Sequence, residues 1–219
     1  MNNTRQILLG AGLVLITTSA QAAEISGNVT LASDYVYRGV SQTSEEPTIQ
    51  GGFDLVADSG LYAGIWGANV AFDGSVEIDY YIGFGNDIYE GLSYDIGLLH
   101  YDYPNQPAGQ ADSDFDEIYF NVSYKAFTVG LSYSNDFFGE TGSATYGYGE
   151  YEFSLPSDFS LVLNYGSQGI DKVPGYDEYS ISLSKEISDI DFSLSWHDTD
   201  VNKIDDFGRR IVFALSKSL

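Results

Sequence analysis

The links between the patterned segments constrain this chain most. About twelve segments alternate apolar with small or polar residues, a period of two that belongs to strands and not to helices. The links after the second, fourth, sixth, eighth and tenth segments are short: ADSG, NDIYEG, KA, PSD and KEISD. Those after odd segments are longer and polar: GVSQTSEEPT, PNQPAGQADSD, NDFFGETGS, SQGIDKVPGYD and DTDVNKIDDFG, with DGS after the third as the exception. An up-and-down antiparallel transmembrane β-barrel produces this alternation, with tight turns at the periplasmic rim and long loops outside. A Greek-key sandwich gives no reason for it.

The segments themselves fit a barrel wall. In FTVGLSYS, Phe127, Val129, Leu131 and Tyr133 form one face and Thr128, Gly130, Ser132 and Ser134 the other. Apolar positions face lipid and small or polar ones a wet lumen in such a strand. Ile25, Gly27, Val29 and Leu31, continued by Tyr35 and Tyr37, read as the outward face of the first segment, with Asp34 and Arg38 opposite. LYAGIWGANVAF, residues 61–72, is apolar on both faces, so its orientation stays open. Thr145–Leu155 is the weakest segment, and RRIVFALSKSL closes the chain. Aromatic residues gather at the segment ends. Tyr35, Tyr37, Tyr133, Tyr165 and Trp196 are expected at the outer rim, and Tyr124, Phe127, Phe159 and Phe192 at the periplasmic rim, as two interfacial girdles.

Residues 1–22 carry Arg5, an apolar run from Ile7 to Ile16, and Ala20-Gln21-Ala22, the layout of a secretory signal peptide with a small-x-small cleavage site. The run is shorter than the roughly 20 residues a spanning helix needs. Residues 1–22 are therefore expected to be cleaved, leaving 23–219 as one barrel domain. Nowhere else does an uninterrupted apolar stretch approach a transmembrane helix, and without one only a closed barrel satisfies the backbone inside a bilayer. The chain has no cysteine, so no disulfide supports it in the oxidising compartment to which the signal sends it. Its net charge of −23 argues against nucleic acid as a partner. Acidity alone would suggest disorder, but 18 Tyr and 13 Phe in patterned segments argue for an ordered domain.

Seven blocks together resemble one family. They are SDYVYRGVSQ (33–42), IQGGFDL (49–55), GLYAGIWGANV (60–70), EIDYYIGF (77–84), HYDYP (100–104), DEIYFNVSY (116–124) and YSNDFFG (133–139). They look like the proteobacterial Gcw_chp family, also called TorF-type porins, over nearly the whole of residues 23–219. The resemblance implies a small outer-membrane barrel acting as a channel.

The face opposite the apolar one collects Asp34, Glu77, Asp79, Asp95, Glu117, Glu150, Glu152, Glu178 and Asp191, against Arg38, Lys125 and Arg210. Such charges must be solvated or paired. They either filter permeants in an open pore or hold a closed interior by ion pairs, and about twelve strands lies between filled and open barrels. The excess of acids predicts cation preference, with basic residues paired locally, as in an Arg38–Asp34 contact. His197 is expected to line the lumen. It shares a face with Ser195 and Asp191, but a spacing of two puts Ser195 roughly 7 Å away along the strand, too far for a nucleophilic pair. No catalytic, cofactor or metal site is expected. DSDFDE (112–117) has Glu117 and Ser123 where an EF-hand needs Gly and Glu, so the loop acids read as a solvated rim, bridged by divalent ions to lipopolysaccharide. The expected function is passive diffusion of small hydrophilic solutes. The alternative is a non-conducting structural or adhesive barrel. Expected partners are outer-membrane lipid, lipopolysaccharide and the barrel-assembly machinery that reads the C-terminal strand.

Overall fold

The computed structural model describes residues 23–219 except 105 and 203, together with the isolated pairs 6–7 and 13–14. Apart from those pairs, residues 1–22, on which the signal-peptide expectation rests, lie outside the described residues.

Twelve strands close into one barrel. The first six are β1 (Glu24–Ala32), β2 (Thr48–Val56), β3 (Leu61–Asn69), β4 (Val76–Tyr89), β5 (Leu92–Asp102) and β6 (Phe115–Tyr124). The second six are β7 (Phe127–Ser134), β8 (Ala144–Leu155), β9 (Phe159–Ile170), β10 (Tyr176–Ile187), β11 (Ile190–Thr199) and β12 (Arg210–Ser218). Each strand pairs antiparallel with the next, and β12 closes on β1 with Ala214 opposite Ala32 and Ser218 opposite Asn28. Closure leaves no open edge, the condition for strands to cross a bilayer. No described helix is long and apolar enough to cross a membrane.

The period of two sets the wall. Leu131 is 52 % exposed, Phe53 61 % and Ile211 68 %, while Thr128, Ser132 and Ser134 on the other face of β7 are buried. A belt of exposed aliphatic and aromatic side chains runs round the barrel. It is far larger than the apolar patches a water-soluble monomer tolerates, and lipid is the solvent that suits it. Tyr80, Tyr133, Tyr165 and Tyr179 are exposed toward the long-loop end, and Tyr124, Phe127, Phe153 and Phe159 toward the other.

The even links are short: 57–60, 90–91, 125–126, 156–158 and 188–189. Three links are shorter than their sequence reading, KEISD among them, since β10 runs on to Ile187 and only residues 188–189 turn. NDIYEG is mostly strand, because β4 runs on to Tyr89 and only residues 90–91 turn. SQGIDKVPGYD shrinks to 171–175 between β9 and β10. The ambiguous third segment also resolves: Leu61 and Ile65 face out, while Tyr62, Trp66 and Ala68 are buried inside.

The largest departure is at the first loop. Tyr35 and Tyr37, expected in the outer girdle, belong to a loop of residues 33–47 that folds into the barrel, and Tyr35 is only 3 % exposed. Its centre is a small hairpin in which Val36–Tyr37 pairs with Val40–Ser41. Arg38 (φ 48°) and Gly39 (φ 81°) form the tip, two left-handed residues in succession, as a tight hairpin turn with matching twist requires.

Tyrosines and glycines interlock on the inner wall. Tyr81 lies over Gly64, Tyr62 over Gly83, Tyr119 over Gly97 and Tyr148 over Gly130, each pair directly opposed on neighbouring strands. A Cβ at any of these glycines would enter the ring or hydroxyl of its tyrosine. At Gly97 it would also lie 2.8 Å from the carbonyl oxygen of Ile82. Gly97→Ala is expected to cost about 1–3 kcal/mol by overpacking. Gly149→Ala, where the nearest atom would be 3.9 Å away, should be close to neutral. Urea unfolding of the two variants in detergent checks the difference.

Candidate functional site: the acidic lumen and its inward loop

The lumen is layered along the barrel axis. At the short-turn end, β9 to β12 and β1 present small hydroxyl side chains inward. Ser182 faces Ser195 and Ser184 faces Ser193 across strands, and Thr30 Oγ1 lies 2.8 Å from Ser216 Oγ. These side chains are only half-buried. Small polar side chains at every second position leave this half the more open one, a vestibule that water can enter.

A middle layer pairs carboxylates with tyrosines. Tyr62 Oη donates to Asp95 Oδ1 at 2.5 Å and Asn121 Nδ2 to Asp95 Oδ2 at 3.3 Å. Tyr81 donates to Asp54, Tyr62 and Tyr119 share a hydrogen bond, and Tyr148 donates to Asn121. Each carboxylate here is solvated by side chains that also fill space.

The long-loop layer is the tightest. Glu77 accepts hydrogen bonds from Tyr35 at 2.7 Å and Tyr103 at 2.6 Å. Arg38, at the tip of the inward hairpin, grips Glu117 with both terminal nitrogens at 2.9 and 2.7 Å and reaches Gln168 Oε1 at 2.9 Å. Its guanidinium lies 4.7 Å from the Tyr37 ring centre and 4.2 Å from that of Tyr146. Bidentate pairing and ring stacking together suit arginine and not lysine. Glu178 accepts from Tyr146 at 2.5 Å and Asn164 at 2.8 Å. Asp34 accepts from Ser41 at 2.6 Å and Thr43 at 2.7 Å, and pairs with Arg210 at 3.4 Å. A Cβ at Gly39 would come within 2.8 Å of Glu178 and Thr199 side-chain atoms, so the tip docks where only glycine fits. Every strand from β3 to β12 puts a buried side chain into this layer. The inward loop narrows the lumen here.

A family model described as a bacterial protein of unknown function (Gcw_chp) matches residues 17–217. The chain belongs to the Gcw_chp family. No curated protein matches it. Among solved structures, the Gcw_chp barrel is similar to a KdgM porin, with a TM-score of 0.58 at 10 % identity over 89 % of this chain and 99 % of that one. A NanC porin gives 0.56 at 10 % identity over 88 % and 98 %. A KdgM porin in complex with disordered oligogalacturonate gives 0.58 at 6 % identity over 89 % and 96 %. At such identities the likeness is one of fold: a closed twelve-stranded antiparallel barrel shared with porins.

Within this Gcw_chp barrel, Asp34, Arg38, Glu77, Asp79, Glu117, Glu178 and Arg210 meet in the long-loop layer, and Asp95 lies in the middle one. Asp191, near the start of β11, and His197, near its end, are half-buried on the inner face. Lys125 stands in the β6–β7 turn, exposed and left-handed (φ 57°), with its Nζ 5.1 Å from the Tyr124 ring centre. Arg38 and Arg210 do not pair locally as expected. Arg38 crosses the lumen to Glu117, and Asp34 is paired by Arg210, because the hairpin carries Arg38 away from its own strand. The Ser195–His197 expectation also needs correction. Nε2 lies 2.9 Å from Ser195 Oγ, because the imidazole spans the distance that separates the two backbones. Asp191 is six residues along the strand from His197, roughly 20 Å, so it does not complete a triad with them. Of the 112–117 acids, Asp114 and Asp112 serve their own loop, accepting from the Tyr103 and Asp114 amides, while Asp116 lies 2.9 Å from His100 Nδ1 and Glu117 holds Arg38. Sequence reasoning missed the hairpin, Tyr101, Tyr103 and Gln168. The one signal was Arg-Gly between two short β-branched and aromatic runs.

Proposed function

We propose that the protein is a porin of the outer membrane of a Gram-negative bacterium, a passive path for small hydrophilic solutes that prefers cations. The single observation that carries this reading is a closed barrel with a lipid-suited outside and an inside in which acids outnumber bases. Wall charges of one sign between low-dielectric walls concentrate counter-ions, and the screening length of about 8 Å at physiological salt is comparable to a narrow pore radius. The reading makes the protein a channel and not an enzyme. It puts the short turns in the periplasm and the long loops outside, after cleavage of residues 1–22. Outer-membrane lipid surrounds the belt, lipopolysaccharide meets the acidic loops, and the barrel-assembly machinery receives β12. Oligogalacturonate, the ligand named for one KdgM porin, is a polyanion. This lumen repels polyanions, so its cargo differs in sign.

The buried long-loop layer favours a second reading, a barrel that does not conduct and works through its outer loops. Swelling of liposomes in a small neutral sugar separates the two. Swelling above that of protein-free liposomes is expected. None, with correctly folded barrel in the bilayer, leaves the second reading. In the Glu77→Gln, Asp79→Asn double variant the uptake of the neutral sugar should persist while the preference for K⁺ over Cl⁻ falls.

A further inference from the structure

A buried carboxylate with one oxygen unpartnered among the described residues lies in the long-loop layer. Asp79 is 2 % exposed and its Oδ1 meets no hydrogen-bond donor among the described residues. The other acids there are served: Glu77 by two tyrosines, Glu117 by Arg38 and Tyr101, and Glu178 by Tyr146 and Asn164. Strand register sets Asp79 directly between Trp66 on β3 and Tyr101 on β5. Its charged neighbours, Glu77 and Glu117, have its own sign. The basic side chains buried in this layer are already engaged, Arg38 by Glu117 and Arg210 by Asp34. A carboxylate desolvated in this way is costly unless a positive charge, a proton or another cation, joins it.

We propose that Asp79 anchors a binding site for a small monovalent cation, an alkali ion or an ammonium group, walled by Trp66 and Tyr101. Asp79 supplies the charge. Tyr35 and Tyr103 give their hydroxyl hydrogens to Glu77, which leaves their oxygen lone pairs able to serve a cation. A divalent ion does not suit the site: Ca²⁺ takes six to eight oxygen ligands, several of them carboxylates, and no three His, Cys, Asp or Glu among the described residues are placed to share one ion. The inference deepens the cation-channel reading and rests on it for the site's role, as the point where a permeating ion sheds water. Whether the site exists is tested without conduction.

Trp66, opposite Asp79, reports occupancy once the only other tryptophan is removed as Trp196→Phe. Folded protein in detergent is titrated with KCl and, separately, NH4Cl, against N-methylglucamine chloride at constant ionic strength. A saturable change in Trp66 fluorescence is expected with at least one salt. Response to K⁺ alone identifies an alkali-ion site, and response to NH4⁺ alone an ammonium site. Asp79→Asn should weaken the midpoint about tenfold or abolish the response, the scale of a lost charge-assisted contact. Asp79→Glu, which keeps the charge and moves it by one methylene, should shift the midpoint and covers the case in which Asp79→Asn does not fold. No saturable change with either salt overturns the proposal, and so does a midpoint unmoved by substitution at Asp79. A barrel that binds the cation but passes none contradicts the channel reading and leaves the site standing.

Discussion

Arg38→Ala is expected to destabilise the barrel by about 3–5 kcal/mol, because it removes one partner of a buried ion pair and leaves Glu117 charged and enclosed. The loss is larger than for a surface pair because nothing replaces the guanidinium. Glu117 keeps only the Tyr101 hydroxyl at 3.2 Å, and Gln168 loses its donor. Arg209→Ala is the contrast. Its pair with Asp198 at 3.3 Å involves an exposed guanidinium, so at most about 1 kcal/mol is at stake. Urea-induced unfolding of both variants in detergent gives the comparison. The same substitution should act on function in the opposite sense. Arg38 is the ion pair by which the tip of the 33–47 loop reaches β6, and without it the loop keeps the Asp34 and Tyr35 contacts at its base, the packing of Gly39 on Glu178 and Thr199 and the Tyr37–Tyr101 hydroxyl pair. Single-channel conductance of Arg38→Ala should therefore exceed that of the parent protein. Lower stability with unchanged conductance would mean that the loop does not obstruct the path.

The second large effect concerns the outer face. Leu131 is exposed in mid-strand on β7, and Leu131→Arg places a guanidinium in hydrocarbon at an expected cost of roughly 2–4 kcal/mol, with reduced assembly in cells. Ser184→Arg, on the inner face of β10 opposite Ser160 and Ser193, puts the same group into the vestibule and should assemble normally. Heat-modifiable mobility of the membrane fraction reads assembly. Equal behaviour of the two variants would reverse the face assignment or remove the membrane altogether.

Much of the fold was legible because lipid and lumen demand different side chains at every second residue, and because two rims with different jobs use links of different length. The reading lost orientation where the inner face is itself apolar. On β3, Tyr62, Trp66 and Ala68 face inward and carry the same hydropathy as Leu61 and Ile65 outside. It failed at SDYVYRGVSQ for a related reason. The stretch alternates like strand and is partly strand, but in a hairpin whose two left-handed tip residues reverse the chain. Arginine is an uncommon first residue for such a turn, so the signal rested on Gly39 alone. The inward acids were legible by parity, but their partners were not. Arg38 and Glu117 are 79 residues apart and Asp34 and Arg210 176, and only closure of the ring brings them together. Local spacing suggested an Arg38–Asp34 pair instead. The same reliance on backbone spacing kept Ser195 and His197 apart, although the side chains touch.

The zero-current potential of the purified protein in a planar bilayer, measured across a KCl gradient, tests the central claim most directly. A potential of the sign set by K⁺ crossing faster than Cl⁻ is expected, shrinking as salt is raised on both sides and again in the Glu77→Gln, Asp79→Asn variant. A potential of the opposite sign would contradict the account, since the basic residues, not the carboxylates, would then set the field along the path.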